Sequence, residues 1–571
     1  MRITVGVLVL MSGCASSKYT AMSVGVDHFP KRETLQLVAQ RALTVDLASK
    51  TPSSFETWTL KGPFPASAGV TTVSPTTPWE LALAKSAPGF VKNLSEDQQC
   101  IAREVAAFYA AKGEYPGQSL RSFIIRRCGS TATQAELWAL AGDVPEDTPD
   151  AKWIEHWRED IEKQASALGS PALAGIGVAR VGKKACLVLS WSTPAAVFEK
   201  PITLVGTTGT VELRGRVNRG SPERIEAMIN KGEFGVASCK TLDALKPPEF
   251  AFSCPVSAKD VRTSLVIASF EPGRMLGSSA AAFTLWPAGT ANDTWSHDTR
   301  DADVPKGEFN ARFITTVNGV RGRAKLPLLT ESQPQSATAQ ELAPHYFEAL
   351  YADEEAEDAD TIALGMLAGW DVGADIVSSG FGNGFVTGTR DLSTFMEFAL
   401  DNPFQRQAIT NKRATLVAVG SVDSLDHGLA AIFATYVPLV NFDRHDAEVA
   451  IITRLNQMRL DRKLNIAQWT LWPSDESATV YDNLRSLRWT PGDALQHVLG
   501  KTAAVAKGSV RGYVQLVDDL NHFQFPTEVL MRPDINVFLA VGTYRHPDWP
   551  QSRYVVCFVV AHNTDIETAS R

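Results

Sequence analysis

Cysteines, histidines and paired carboxylates are the side chains of this 571-residue chain that could carry chemistry, and their spacing limits what that chemistry can be. Seven cysteines occur, with no CxxC and no cysteine–histidine spacing that fits a zinc site. Setting Cys14 aside leaves an even number, which in an exported protein suggests disulfides, with buried free thiols as the alternative. Cys239 and Cys254 are the best pair, because GVASCK and FAFSCPV both read as strands of one sheet. Closing that loop is worth roughly 3 kcal/mol in the chain-entropy model. Cys100 and Cys128, on neighbouring helical stretches, are the second pair. Nucleophile signatures are missing: there is no GxSxG elbow, no HExxH and no Cys–His pair. Glu397 and Asp401 share a helix face at i and i+4, which reads as an exposed acidic face rather than a general acid and base. His497, His522 and His546 read as scattered surface residues; His497 or His522 gathered with Asp518 or Asp519 beside a cleft would instead indicate chemistry. Asp443 and His445 read as cap residues ahead of a helix. The Gly380-Phe-Gly382-Asn-Gly384 run has neither GxGxxG nor a following Lys-Ser/Thr, so a tight turn is expected there rather than a phosphate loop. The acidic stretch YADEEAEDAD lacks EF-hand spacing and reads as a solvated loop or helix end.

The elements that must position these residues begin with an N-terminal signal. Arg2 precedes the apolar run Ile3–Met11, and Ser12 and Gly13 lead into Cys14. This order resembles a bacterial lipobox, with residues 1–13 as the signal peptide. The resemblance implies cleavage before Cys14, acylation of that residue and a membrane as the first partner. Each buried methylene contributes roughly 0.8 kcal/mol, so two or more acyl chains hold a soluble domain stably. Ala15, Ser16 and Ser17 follow without an aspartate, which resembles outer-membrane sorting in enteric bacteria and implies the outer membrane of a bacterial cell envelope.

Bulk properties narrow the class. Hydrophobic residues make up 44% and charged residues 21%, ordinary for a globular chain. Net charge is −8 with no Lys/Arg-rich block, so nucleic-acid binding is not expected. Past the signal, no apolar run approaches the ~20 residues of a membrane-spanning helix. Ser, Thr, Pro and Ala dominate 14–94, which reads as a partly disordered tether. A helical module is expected over 95–183 and an Ig-like β-sandwich over 184–292, where the apolar period falls to two. A charged linker follows at 293–308. Helix and strand then alternate over 309–440, and again over 441–571.

The last two segments repeat one another. VNGVRGRAKL (317–326) aligns without gaps to LNQMRLDRKL (455–464), with Asn318/Asn456, Arg321/Arg459, Lys325/Lys463 and Leu326/Leu464 identical. TLVAVGSV matches NVFLAVGTY downstream, and IFATYV matches VVCFVVA. The unit resembles the CAP superfamily of cysteine-rich secretory, antigen 5 and pathogenesis-related proteins. Carrying the resemblance are Val317-Asn318…Arg321, Leu326-Pro327-Leu328-Leu329, Asn402-Pro403-Phe404-Gln405-Arg406 and Val417-Ala418-Val419-Gly420. It implies an α-β-α sandwich over 309–440 and, more faintly, over 441–571, giving a multidomain α+β fold. The family's cavity uses two histidines and two carboxylates. Here Gln405 replaces a histidine, Ser378 and Ser379 fall where a carboxylate belongs, and His345 lies inside a helix. With these donors gone a transition metal has too few ligands, and neither metal nor other cofactor is expected. The resulting expectation is a non-enzymatic envelope lipoprotein presenting degenerate CAP-like modules to a lipid, glycan or protein partner. The alternatives are an envelope hydrolase with an unrecognised active site, or a purely structural envelope component.

Overall fold

The computed structural model describes residues 29–41, 57–69 and 72–561, except 133–134, 273, 275–276, 299–300, 306, 352–355, 388–389, 425–427, 440–441, 470–473 and 507–509. The signal segment and Cys14 lie outside the described residues. The fold is mixed α/β, and no described helix is long and apolar enough to cross a membrane.

An isolated helix α1 (Arg32–Ala39) and two short strands, β1 (Thr57–Thr59) and β2 (Ser67–Ala68), open the chain. A first unit follows: α2 (Pro78–Ser86), α3 (Pro88–Val91), α4 (Glu96–Lys112), α5 (Gln118–Arg127), β3 (Glu136–Asp143), α6 (Asp150–Leu168), β4 (Leu173–Val181) and β5 (Lys184–Ser192). Next comes a β module: β6 (Ala196–Phe198), β7 (Ile202–Thr203), β8 (Gly209–Val217), β9 (Arg224–Lys231), β10 (Gly235–Ser238), β11 (Lys240–Thr241), β12 (Glu249–Val256), β13 (Thr263–Phe270), β14 (Ser278–Leu285) and β15 (Thr294–Ser296). The second unit holds α7 (Phe309–Arg323), β16 (Thr330–Glu331), α8 (Gln333–Tyr351), α9 (Ala356–Ala368), β17 (Ile376–Thr387), α10 (Leu392–Asp401), α11 (Pro403–Thr410), β18 (Leu416–Ser424) and β19 (Gly428–Pro438). The third holds α12 (Arg444–Asp461), β20 (Gln468–Trp469), α13 (Ser474–Arg485), α14 (Pro491–Val505), β21 (Val510–Val517), β22 (Asn536–Tyr544) and β23 (Arg553–Ala561).

Second and third units share one topology. Their sheets run β16-β18-β19-β17 and β20-β22-β23-β21, with the first strand parallel to its neighbour and the rest antiparallel. The repeated residues hold the same corner in each. Arg321 is fully buried and donates to the carbonyls of Pro327 (2.6 Å), Ile409 (2.7 Å), Asn411 (3.0 Å) and Ala414 (2.7 Å). Arg459, equally buried, donates to Asn465 O (2.7 Å), Pro533 O (2.7 Å) and Val529 O. A guanidinium with its fork filled by carbonyls satisfies the desolvated cation that the fold buries. Asn318 and Asn456 each accept from the residue just ahead of the following strand, at Leu329 N (2.7 Å) and Ala467 N (2.8 Å). Lys325 and Lys463 both turn the chain through the left-handed region, at φ 56 and 59.

The first unit carries the same plan. Its sheet runs β3-β5-β4, and Leu94 bridges in parallel to Ala174 at the head of β4, where the first strand of the other units lies. A Cβ at Gly177 of β4 would stand 2.1 Å from the backbone of Ala102 on α4. In the second unit a Cβ at Gly420 of β18 would stand 2.1 Å from Ala339 on α8. Both glycines let a helix lie directly on the sheet. The expected helical module is therefore α/β, and β5 belongs to its sheet rather than to the following module.

Residues 57–69 and 72–94, expected as part of a tether over 14–94, are folded: β1 pairs with β15, β2 pairs with β7, and Thr77 caps α2 with a capping box. Their partners lie far along the chain, so local composition misreads them. β15 likewise takes 294–296 out of the expected linker. The glycines at 380, 382 and 384 form no turn but lie in β17. They share one strand face, where a Cβ at Gly380 would meet Ala408 at 2.8 Å and one at Gly382 would meet the Phe433 ring at 2.2 Å. Two four-stranded sheets of the β module, β10-β9-β13-β14 and β11-β12-β8-β6, share one apolar core. Disulfides join Cys239 to Cys254 and Cys100 to Cys128, leaving Cys186 and Cys557 as buried thiols. Finally, α1 lies across α8 and α9 of the second unit. Leu35 and Val38 are buried there, Arg32 pairs with Asp371 (2.5 Å), and Trp370 Nε1 donates to Pro30 O (3.0 Å).

Candidate functional site

The β module, the first unit and the second unit meet around a cavity of 450 Å³. One wall is the outer face of β13 and β14. Leu265 and Ile267, with Phe283 and Leu285, turn into the module's core, so strand alternation points Ser264, Val266, Ala282 and Thr284 toward the cavity. Ser264 and Thr284 are paired across the strands, exposed by 7% and 1%, and neither hydroxyl has a hydrogen-bond partner. The opposite wall is α5, which contributes Gln118, Arg121, Ser122, Ile125 and Arg126. Phe385, Phe398, Asp401 and Asn402 come from the second unit.

The Arg121 side chain forms no hydrogen bond or ion pair among the described residues, and its Nε is buried without a partner. Burial lowers its pKa, against the pull of Tyr115 and Glu136. Every other guanidinium at this junction is occupied. Arg126 pairs with Glu397 (2.8 Å) and Asp401 (3.0 Å), and Arg262 pairs with the other oxygen of Asp401. Arg406 donates to Leu400 O (2.6 Å), Gly232 O (3.2 Å) and Glu233 O (3.1 Å), and burial pushes its pKa down to about 10. Burial alone would raise the Asp401 carboxyl; Arg262, then Arg126 and Arg406, outweigh it and hold the group below the usual carboxylate range. Ser119 Oγ donates to Glu397 (2.6 Å) and accepts from Trp295 Nε1 (2.9 Å). Glu397 and Asp401 are thus neither an exposed acidic face nor an acid–base pair. Their helix face is covered by α5 and the β module, and its charges lock three modules together.

The positions assigned from the family resemblance fall in different surroundings. Ser379 Oγ donates to Leu367 O (2.7 Å) and accepts from Gln551 of the third unit (3.0 Å). Ser378 sits beside it in β17, opposite Val437. His345 is packed under α1, with Nε2 3.2 Å from Ala39 O. Gln405 lies in the first turn of α11, where its Oε1 is buried without a partner. Among the described residues no group of three His, Cys, Asp or Glu side chains is placed to hold a metal ion.

Three histidines of the third unit are each paired with an acid. His522 Nδ1 lies 2.7 Å from Asp518, whose carboxylate raises the imidazole pKa. Burial pushes the Asp518 carboxyl up, but His522 outweighs it and the net shift is downward. Asp519 next to it pairs with Arg413 of the second unit. His497 Nε2 is 2.9 Å from Glu476, and His546 is 3.6 Å from Asp548. Asp443 caps α12, accepting from Asp446 N (2.9 Å), and His445 stacks 6.3 Å from Trp469.

Sequence reading missed Arg121, Ser264 and Thr284. SLRSFIIRRCG holds three arginines, and only the tertiary partners of Arg126 and Arg127 reveal which one is unpaired. Ser264 and Thr284 carry no local signal either, since β13 and β14 hold other serines and threonines.

No family model and no curated protein matches the chain. Among solved structures, the chain is similar to a cysteine-rich secretory protein from Staphylococcus aureus at 10% identity, over 52% of this chain and 95% of that one, with a TM-score of 0.17.

Proposed function

We propose that this chain is a non-enzymatic binding protein of the bacterial cell envelope, held to the outer membrane through acylated Cys14. In this reading the second and third units are degenerate CAP-like units and the β module is an Ig-like sandwich. The first unit, the β module and the second unit together form a cleft for a small ligand of the envelope, a lipid or glycan fragment. The observation that supports it is the 450 Å³ cavity whose wall keeps Ser264, Thr284 and Arg121 without partners. Buried polar groups are costly when unpaired, and a ligand that satisfies them recovers that cost. Native mass spectrometry of the chain purified from its host tests the proposal. A bound lipid or glycan mass supports it, and a bare protein after gentle extraction overturns it. Mass of the N-terminal peptide, with Cys14→Ser as control, tests the anchor.

A second reading, an envelope hydrolase, draws on the His522–Asp518 pair, the geometry of an imidazole oriented by a carboxylate. Turnover of envelope polymers that disappears in His522→Gln supports that reading; unchanged turnover ends it.

A further inference from the structure

We infer that the junction cleft takes a carboxylate-bearing sugar of one or two rings, an inference that rests on the binding reading above. Charge argues for a single negative group. Among the described residues Arg121 is the one guanidinium lining the cavity that forms no ion pair, since Arg126 is committed to Glu397 and Asp401. A guanidinium fork matches a carboxylate with two parallel hydrogen bonds. A doubly charged phosphate would need a second free cation and would face Glu136 and Asp401 in the same cavity. Those carboxylates favour a ligand that brings hydroxyl donors. Asp401 Oδ2 is buried with no hydrogen-bond donor of its own, although Arg126 lies 3.0 Å away as an ion pair.

The rest of the wall fits a sugar. Ser264 and Thr284 offer adjacent hydroxyls that both donate and accept, as ring and exocyclic oxygens require. Ile125, Val266, Phe385 and Phe398 give the apolar surface against which the C–H face of a pyranose packs. A cavity of 450 Å³ lies at the lower end of the range for small-ligand sites, too small for a long polymer. An acyl chain alone would leave Arg121 and both hydroxyls unsatisfied.

Isothermal titration of the full chain tests this, with glucuronate and N-acetylmuramate as acidic probes, glucose and N-acetylglucosamine as neutral ones, and N-acetylalanine as a carboxylate without a ring. Both acids are expected to bind saturably, the neutral sugars and N-acetylalanine at least about tenfold more weakly. Arg121→Met should reduce acid-sugar affinity to the neutral level, and Ser264→Ala with Thr284→Val should weaken it several-fold. Arg158→Met, on the exposed face of α6, should change nothing. If Arg121→Met does not fold, the near-isosteric hydroxyl variants still decide the matter. Equal binding of acidic and neutral sugars, tighter binding of N-acetylalanine, or full affinity in the hydroxyl variants overturns the inference. No binding of any probe by a chain that carries another mass in native spectrometry overturns the acidic sugar and spares the binding reading. No binding by a chain that carries nothing sinks both.

Discussion

The second and third units use the same strands in the same order but build different connections from the outer long strand to the inner one. From β17 to β18 the second unit runs through two helices, α10 and α11, which carry Glu397, Asp401, Gln405 and Arg406. From β21 to β22 the third unit runs through two short 3-10 turns, Leu520–His522 and Thr527–Leu530, with Asp518 and Asp519 just before them. What the copies share is the buried arginine and its asparagine, which close the unit on itself. What they do not share is the connection, which in the second unit has become an interface to two other modules. In the third it meets the second unit through the Arg413–Asp519 pair. Closure is held constant, and docking is free to vary.

Replacing the shared arginine should have the largest effect. Arg321→Ala and Arg459→Ala each strand three or four buried carbonyls, and each should cost its own unit about 3–5 kcal/mol. Hydrogen exchange resolved by segment should show Arg459→Ala loosening 444–561 while 309–438 holds. Loosening of both would mean the units do not close independently. Asp401→Ala should cost about 3 kcal/mol, because Arg126 and Arg262 lose their shared acid inside the junction. Asp519→Ala, at the less enclosed contact, should cost less than about 1 kcal/mol by denaturant titration. A matching loss at the two sites would contradict the contrast drawn between them.

Glycines sharpen the comparison at a smaller scale. Gly177→Ala and Gly420→Ala push a methyl into helix backbone and should each cost about 1–3 kcal/mol. In the third unit a Cβ at Gly542 would meet the Leu484 Cδ1 at 2.6 Å, a side-chain atom that can rotate away, so Gly542→Ala should cost less. Thermal melts of the three variants rank them.

The smallest effect is on pH. His297 pairs with Asp391 of the second unit (2.9 Å) and His522 with Asp518 of the third, and hydrogen bonding to the acid raises both imidazoles above 6.5. Their stabilisation is complete below pH 6.5 and is lost as pH rises through each folded value. The lowered Asp518 carboxyl acts in the opposite window: its contribution is present above 3.8 and lost as pH falls through its folded value. His297→Gln and His522→Gln should each flatten the neutral arm of the stability–pH curve for their own unit. An unchanged slope would show that the pair does not titrate with folding.

How much of this was legible beforehand depended on whether a residue's partner lay nearby. The Asn–Arg corner was visible because unusual side chains recur at fixed spacing and act within their own unit. The first unit escaped notice because Pro88 divides its opening helices and neither of them holds an arginine; only Gly175-Ile-Gly177 beside an alanine-rich helix hinted at the shared packing. Strand β17 was misread because glycine signals a turn locally and a close helix only in three dimensions. The cleft was invisible for the same reason: Arg121, Ser264 and Thr284 come from segments that nothing in the sequence connects.

The seating of α1 decides how the molecule bears tension. A pull on the chain ahead of Phe29 arrives at α8 and α9, in the middle of the sequence, before it reaches residue 57. The second unit takes the strain first, through Leu35, Val38 and the Arg32–Asp371 pair. Whatever holds the N-terminus therefore grips the protein by its central unit, to which the modules on either side are fastened by Arg126, Arg262 and Asp519.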